Sequence, residues 1–108
     1  PGVLAAGTRE VLCTFTDPMV GVTANRTLGL LLAGDDGCSA LRGFGRTVSA
    51  AAFGHMGAGG QVAWADPASG LSFVYLTNGL DRDPIRMGRR GSSLSNRAGA
   101  VTLEAGTR

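Results

Sequence analysis

The apolar positions of this chain fall into short runs, and few of them make a long helical stripe. Leu71 to Asn78 is the clearest run. Phe73, Val74, Tyr75, Leu76 and Thr77 all suit an extended backbone, and both faces are largely apolar, which predicts a strand in the middle of a sandwich or beneath helices. Gly59 to Asp66 alternates instead, with Val62 and Trp64 on one face and Gln61, Ala63 and Ala65 on the other. Pro67-Ala68-Ser69-Gly70 between these segments reads as a hairpin connection, proline presetting one dihedral and glycine free to take positive φ. Leu28 to Ala33 is a compact apolar run of strand length, closed by the turn Gly34-Asp35-Asp36-Gly37. Cys38 to Ala52 has no period and reads as a loop, with one helical turn in Ser49 to Ala52.

Helical signals are fewer. Thr8 is a suitable N-cap for a short helix carrying Glu10, Val11, Leu12 and Phe15, which Asp17-Pro18 would end. Past Asp83-Pro84, the residues Ile85, Leu94, Ala98 and Val101 fit one apolar stripe, weakened by Gly88, Gly91 and Gly99. The pattern therefore predicts an α+β fold in a single domain, 1–108. Three consecutive antiparallel strands, near Leu28–Ala33, Gly59–Asp66 and Leu71–Asn78, carry a C-terminal helix packed on the sheet, and residues 104–108 fray.

Composition narrows the function classes. A chain of 108 residues buries only about two thirds of its unfolded surface, and 18 glycines raise the entropy that folding must overcome. All ten basic residues are arginine, the net charge is only +2, and half of the arginines lie between Arg82 and Arg97. Such a tail can meet phosphates, but no aromatic residues interleave it and no nucleic-acid motif is present. A solvated helix face is the expectation, with no nucleic-acid partner. Cys13, Cys38 and His55 are too few for a structural zinc site, so neither metal nor cofactor is expected. Two free thiols fit a reducing, cytoplasmic setting. No apolar run approaches the length of a membrane span, and Pro1-Gly2-Val3-Leu4 lacks the features of a signal peptide.

The stretch Phe53-Gly54-His55-Met56-Gly57-Ala58-Gly59-Gly60-Gln61 concentrates the candidate chemistry. Glycines crowd the point where the backbone becomes extended, which often means that something approaches it closely. A phosphate loop would need Gly-Lys-Ser/Thr followed by a helix, and both are missing here. With Ala65-Asp66-Pro67, Gly70-Leu71-Ser72-Phe73 and Tyr75-Leu76-Thr77-Asn78, the stretch resembles the C-terminal end of β-lactamase-like serine hydrolases, nearest their esterase and class C-like branch. The resemblance spans about Arg9 to Val101, with its specific core at residues 28–78.

The resemblance implies a partial β-lactamase-like fold and a site on it. His55-Met56-Gly57 is similar to the family's third motif, Lys-Thr-Gly, in a variant with His first. It implies that His55 faces substrate, that Gly57 leaves room for substrate along the strand, and that the Ala58 amide is one of two oxyanion donors. Met56 stands where the family has Thr or Ser, so no hydroxyl is available there to hold substrate. Outside that resemblance, a lone His is ordinarily a packed or surface residue. Trp64 and Tyr75 are expected in the core, and Asp66-Pro67 in a turn.

What the family needs and this chain lacks bears equally on function. There is no lysine, hence no Ser-x-x-Lys, and Tyr75, the single tyrosine, is followed by Leu76-Thr77, not by the family's tyrosine motif. Three readings follow. The chain is the C-terminal portion of an ester- or amide-cleaving serine hydrolase, completed by an N-terminal portion and inactive alone. Or it is a non-catalytic binding module derived from that fold. Or it is an enzyme that pairs His55 with one of its seven serines, a reading with no spacing to support it. An uncovered sheet predicts instability or self-association of the isolated chain.

Overall fold

The computed structural model describes residues 15–18 and 21–105. The expected helix at 8–14, with Cys13, lies outside them. The architecture is α+β: a four-stranded antiparallel sheet and one long C-terminal helix. The strands are β1 (Leu31–Leu32), β2 (Phe53–Met56), β3 (Val62–Asp66) and β4 (Leu71–Tyr75), adjacent in chain order, and the helix is α1 (Pro84–Ala105).

The strand count and bounds differ from the expectation, each for a local reason. The run at 28–33 shrinks to two residues because Thr27 closes a tight turn: its hydroxyl takes the Leu30 amide at 3.0 Å, while its own amide reaches the Leu30 carbonyl at 2.9 Å. Leu28 is left at the tip, 63 % exposed. The expected strand at 59–66 begins only at Val62, because Gly59 and Gly60 belong to the preceding turn. The unexpected strand is β2. It is short and interrupted by Gly54, yet it pairs along its whole length with β3, Gly54 opposite Trp64 and His55 opposite Ala63. The strand expected at 71–78 stops at Tyr75, and it lies at the edge of the sheet and not in its middle. Val74 is 62 % exposed because it points, like its partner Ala63, to the uncovered outer face of the sheet.

Alternation sorts the sheet into two faces. Val62, Trp64 and Asp66 of β3 are buried and Ala63 is exposed, so the inner face carries Trp64, whose ring lies 5.4 Å from that of Phe73 on β4. The core is Leu31, Ala33, Phe44, Ala52, Val62 and Trp64, with Tyr75 packed against it. Asp66 does more than begin the β3–β4 turn. It is 4 % exposed and accepts the Ser49 amide at 2.8 Å, the Ser49 hydroxyl at 2.5 Å and the Ala68 amide at 3.0 Å. Burial pushes its carboxyl up, but the donors from Ser49 and Ala68 outweigh it and the net direction is down.

Helix α1 is capped at its start by Asp83, whose carboxylate accepts the amides of Ile85 and Arg86 at 3.0 and 3.2 Å, with Pro84 in the first turn where no amide is needed. Its buried face follows the expected stripe only in part: Ala98 packs against the core and Leu94 is half-buried. Ile85 is 67 % and Val101 62 % exposed, while Ser95 is fully buried. Small side chains let the helix come close to the 39–47 loop. Ser92 donates to the Ala40 carbonyl at 2.9 Å, Ser95 to that of Gly43 at 3.0 Å, and Thr47 to that of Asn96 at 2.9 Å. The loop can follow this path because Gly43 and Gly45 adopt φ of 90° and 77° on either side of buried Phe44.

Ser95 is also the acceptor for the indole of Trp64, at 3.0 Å, so one hydroxyl joins sheet, helix and loop. Ser95→Ala strands the Trp64 N–H and the Gly43 carbonyl, each costing about 1–3 kcal/mol. A fall in melting temperature of about 4–8 °C per kcal/mol is expected by calorimetry. An unchanged transition would show that water replaces the hydroxyl.

Candidate functional site

The glycine-rich stretch straddles a strand and a turn, so the expectation that the backbone becomes extended at these glycines, with Gly57 leaving room for substrate along a strand, is corrected. His55 and Met56 end β2, and Gly57 to Gly60 turn back towards β3. The turn is closed by the Gly57 amide on the Gln61 carbonyl at 2.8 Å and the Gly60 amide on the Gly57 carbonyl at 3.1 Å, with Gly60 at φ 87°. Neither bond uses the amide of Ala58, which is exposed. β1 covers β2 only at Phe53 and Gly54. Among the described residues, the β2 edge from His55 onward therefore has no strand partner.

Part of the glycine signal has an internal cause. A Cβ on Gly54 would sit 2.6 Å from the Trp64 Cα, so what approaches the backbone there is the neighbouring strand, not a ligand.

His55 and Met56 point to opposite faces. Met56 lays its thioether beside Gly43 on the loop side and is still 39 % exposed. His55 is exposed on the outer face. Its Nδ1 lies 2.6 Å from the Met56 carbonyl and its Nε2 3.4 Å from Nη1 of Arg26. A carbonyl only accepts and a guanidinium only donates. The two contacts together therefore fit a neutral imidazole with the proton on Nδ1 and a lone pair on Nε2. In this arrangement His55 is a hydrogen-bonding group. No serine hydroxyl among the described residues hydrogen-bonds to it, so the reading that pairs His55 with a serine gains nothing.

A shallow depression of about 270 Å³ opens beside His55, lined also by Met56, Gly57, Gln61, Ala63 and Leu76. Gln61, which sequence reasoning treated only as an alternating strand position, shapes it. The Gln61 amide donates to the Thr77 carbonyl at 3.0 Å, bracing the turn against the end of β4, and its Oε1 would lie 3.0 Å from a Cβ on Gly57. A polar residue right after a glycine run was the available signal. Among the described residues no group of His, Cys, Asp or Glu could hold a metal ion, and no helix is long and apolar enough to cross a membrane. Cys38 is a half-buried free thiol.

The arrangement offers a hydrogen-bonding imidazole, a free turn amide and an open strand edge; it offers no activated nucleophile. No family model, curated protein or solved structure matches the chain.

Proposed function

We propose that the chain is the C-terminal, substrate-side portion of a β-lactamase-like serine hydrolase, cleaving an ester or amide through an acyl-serine intermediate. The nucleophile and its base belong to polypeptide outside these residues. The observation that carries this reading is the meeting of an open β2 edge with a turn whose Ala58 amide is uncommitted. An acyl group lying along that edge pairs with the strand backbone, as extended ligands do, and its carbonyl comes towards the turn. An amide donor aimed at the developing oxyanion lowers the barrier by about 3–4 kcal/mol. His55 in place of lysine favours an ester over a β-lactam. Cytoplasmic placement belongs to the same reading.

The alternative, a non-catalytic interaction module, draws on the exposed Val74, Leu76 and Leu80, an apolar edge suited to a partner or a second copy. One experiment separates the two. The chain alone and the chain joined to the polypeptide encoded upstream are assayed with p-nitrophenyl butyrate and a fluorophosphonate probe. The chain alone stays unlabelled, whereas the longer protein hydrolyses the ester and is labelled on a serine outside this chain, within Ser-x-x-Lys. In that protein Ala58→Pro, which deletes the amide, lowers kcat about 10²–10³-fold while Ala58→Gly does not. A labelled serine inside the chain, or an inert longer protein, would sink the hydrolase reading.

A further inference from the structure

A second cleft, larger than the His55 depression, lies where the segment after β4 meets the start of α1. Its volume is about 510 Å³, and Leu80, Asp81, Arg82, Arg86 and Arg90 line it. Asp81 is the organising residue. One carboxylate oxygen accepts the Asp83 amide at 3.0 Å and Arg86 Nη2 at 2.9 Å; the other accepts Arg86 Nε at 2.8 Å and Arg90 Nη2 at 3.2 Å. Its side chain is 7 % exposed beneath guanidinium groups that are 68 % and 46 % exposed. The hydrogen-bonded Arg86 holds the Asp81 carboxyl well below the usual carboxylate range, so it stays an anion at any physiological pH.

All the acceptor capacity of that carboxylate is used, but the donors are not exhausted. Arg86 keeps Nη1 free, Arg90 keeps Nε and Nη1, and Arg82 ion-pairs with no described residue. Three guanidinium groups line the cleft with Asp81, and with the Asp83 carboxylate beside them at the helix start one positive charge remains in excess. The first amides of α1 are already held by Asp83, so the donors are side chains.

We propose that this cleft binds a phosphate group, free or as a phosphomonoester, through Arg82, Arg86 and Arg90. Forked guanidinium donors, two of them fixed in place by Asp81, match phosphate oxygens. Leu80 and Thr77 line the remaining space, which suits a small organic substituent. A polynucleotide is the weaker fit, since no aromatic residue lines the cleft for base stacking. The assignment is independent of the hydrolase reading.

The test is thermal denaturation of the full chain titrated with inorganic phosphate and with phenyl phosphate, against sodium chloride at equal ionic strength. A saturable rise in melting temperature is expected with one or both phosphates and not with chloride. Tighter binding of phenyl phosphate identifies a phosphomonoester, and equal binding identifies free phosphate. Arg82→Gln, at an exposed side chain without partners, and Arg90→Gln, which leaves Arg86 on Asp81, each weaken binding about tenfold or more. No saturable rise, or a rise unchanged in both variants, overturns the proposal. So does a single-stranded oligonucleotide that binds more tightly than either phosphate and tightens with length.

Discussion

An Arg42→Met protein is expected to lose about 3 kcal/mol of stability, at the lower end of the range for truncating one partner of a buried ion pair. The guanidinium of Arg42 is buried, with only 2 % of its side chain exposed. It forks onto Asp36 at 2.7 and 2.5 Å, and reaches the carbonyls of Ala33 at 2.7 Å and Thr23 at 2.7 Å. Methionine fills the volume but leaves both carbonyls without a donor. Asp36 is 42 % exposed and regains water, which is why the upper end of the range is not expected. The loss is a large share of the roughly 5–15 kcal/mol that holds a domain of this size folded.

The same variant has a pH signature. The hydrogen bond from Arg42 lowers the Asp36 carboxyl from its ordinary 3.8 to about 2 in the folded protein. A depressed folded-state value means that the pair's stabilisation is fully present above about pH 4 and is lost as pH falls towards 2. Urea titrations of the wild type at pH 5, 3 and 2 therefore show declining stability with a contribution from this pair. That contribution disappears in Arg42→Met. Parallel pH profiles for the two proteins would show that Asp36 and Arg42 are not coupled.

Trp64→Ala is expected to cost about 3–5 kcal/mol, the range for deleting a buried aromatic side chain. The indole is 3 % exposed, touches Phe73 and holds Ser95. Packing and hydrogen bonding are separable with Trp64→Phe, which keeps most of the ring and deletes the donor. Combined with Ser95→Ala, it should cost less than the sum of the two single changes, because the second change then strands no indole N–H. Strict additivity in denaturant titrations would remove Ser95 from the link between sheet and helix.

These residues also mark how much the sequence disclosed. The hairpin of β3 and β4 was legible because alternation at Val62 and Trp64 and the Pro67-to-Gly70 turn agree with each other. The start of α1 was legible from Asp83-Pro84. β2 was not, since four residues with a glycine among them show no period, and only pairing with β3 makes them a strand. The helix face was read only in part, with Ala98, because Ser95 and Gly99 look polar or helix-breaking yet are buried against a loop, where half-buried Ser92 joins them. Arg42 and Phe44 were invisible for a related reason: a loop without periodicity gives no hint that its charge and its aromatic ring turn inward.

At the site, His55, Gly57 and Ala58 were singled out for their motif. What the fold adds there is an open β2 edge and an exposed turn at Ala58. The contacts with Arg26 and the brace of Gln61 came only with the fold, because they join residues far apart in the chain. Gly54 carried a real signal of close approach, but the approaching atoms belong to Trp64.

The clasp between α1 and the 39–47 loop also sets an order of events during translation. Ala40 and Gly43 find their hydroxyl partners 52 positions later. A ribosome delivering the chain from its amino end releases Phe44 well before Ser92 and Ser95 exist to fix the loop over the core. Until then that aromatic ring faces water or a chaperone. A premature stop anywhere between the end of β4 and Ser92 therefore removes more than a helix: it unfastens a loop made half a chain earlier.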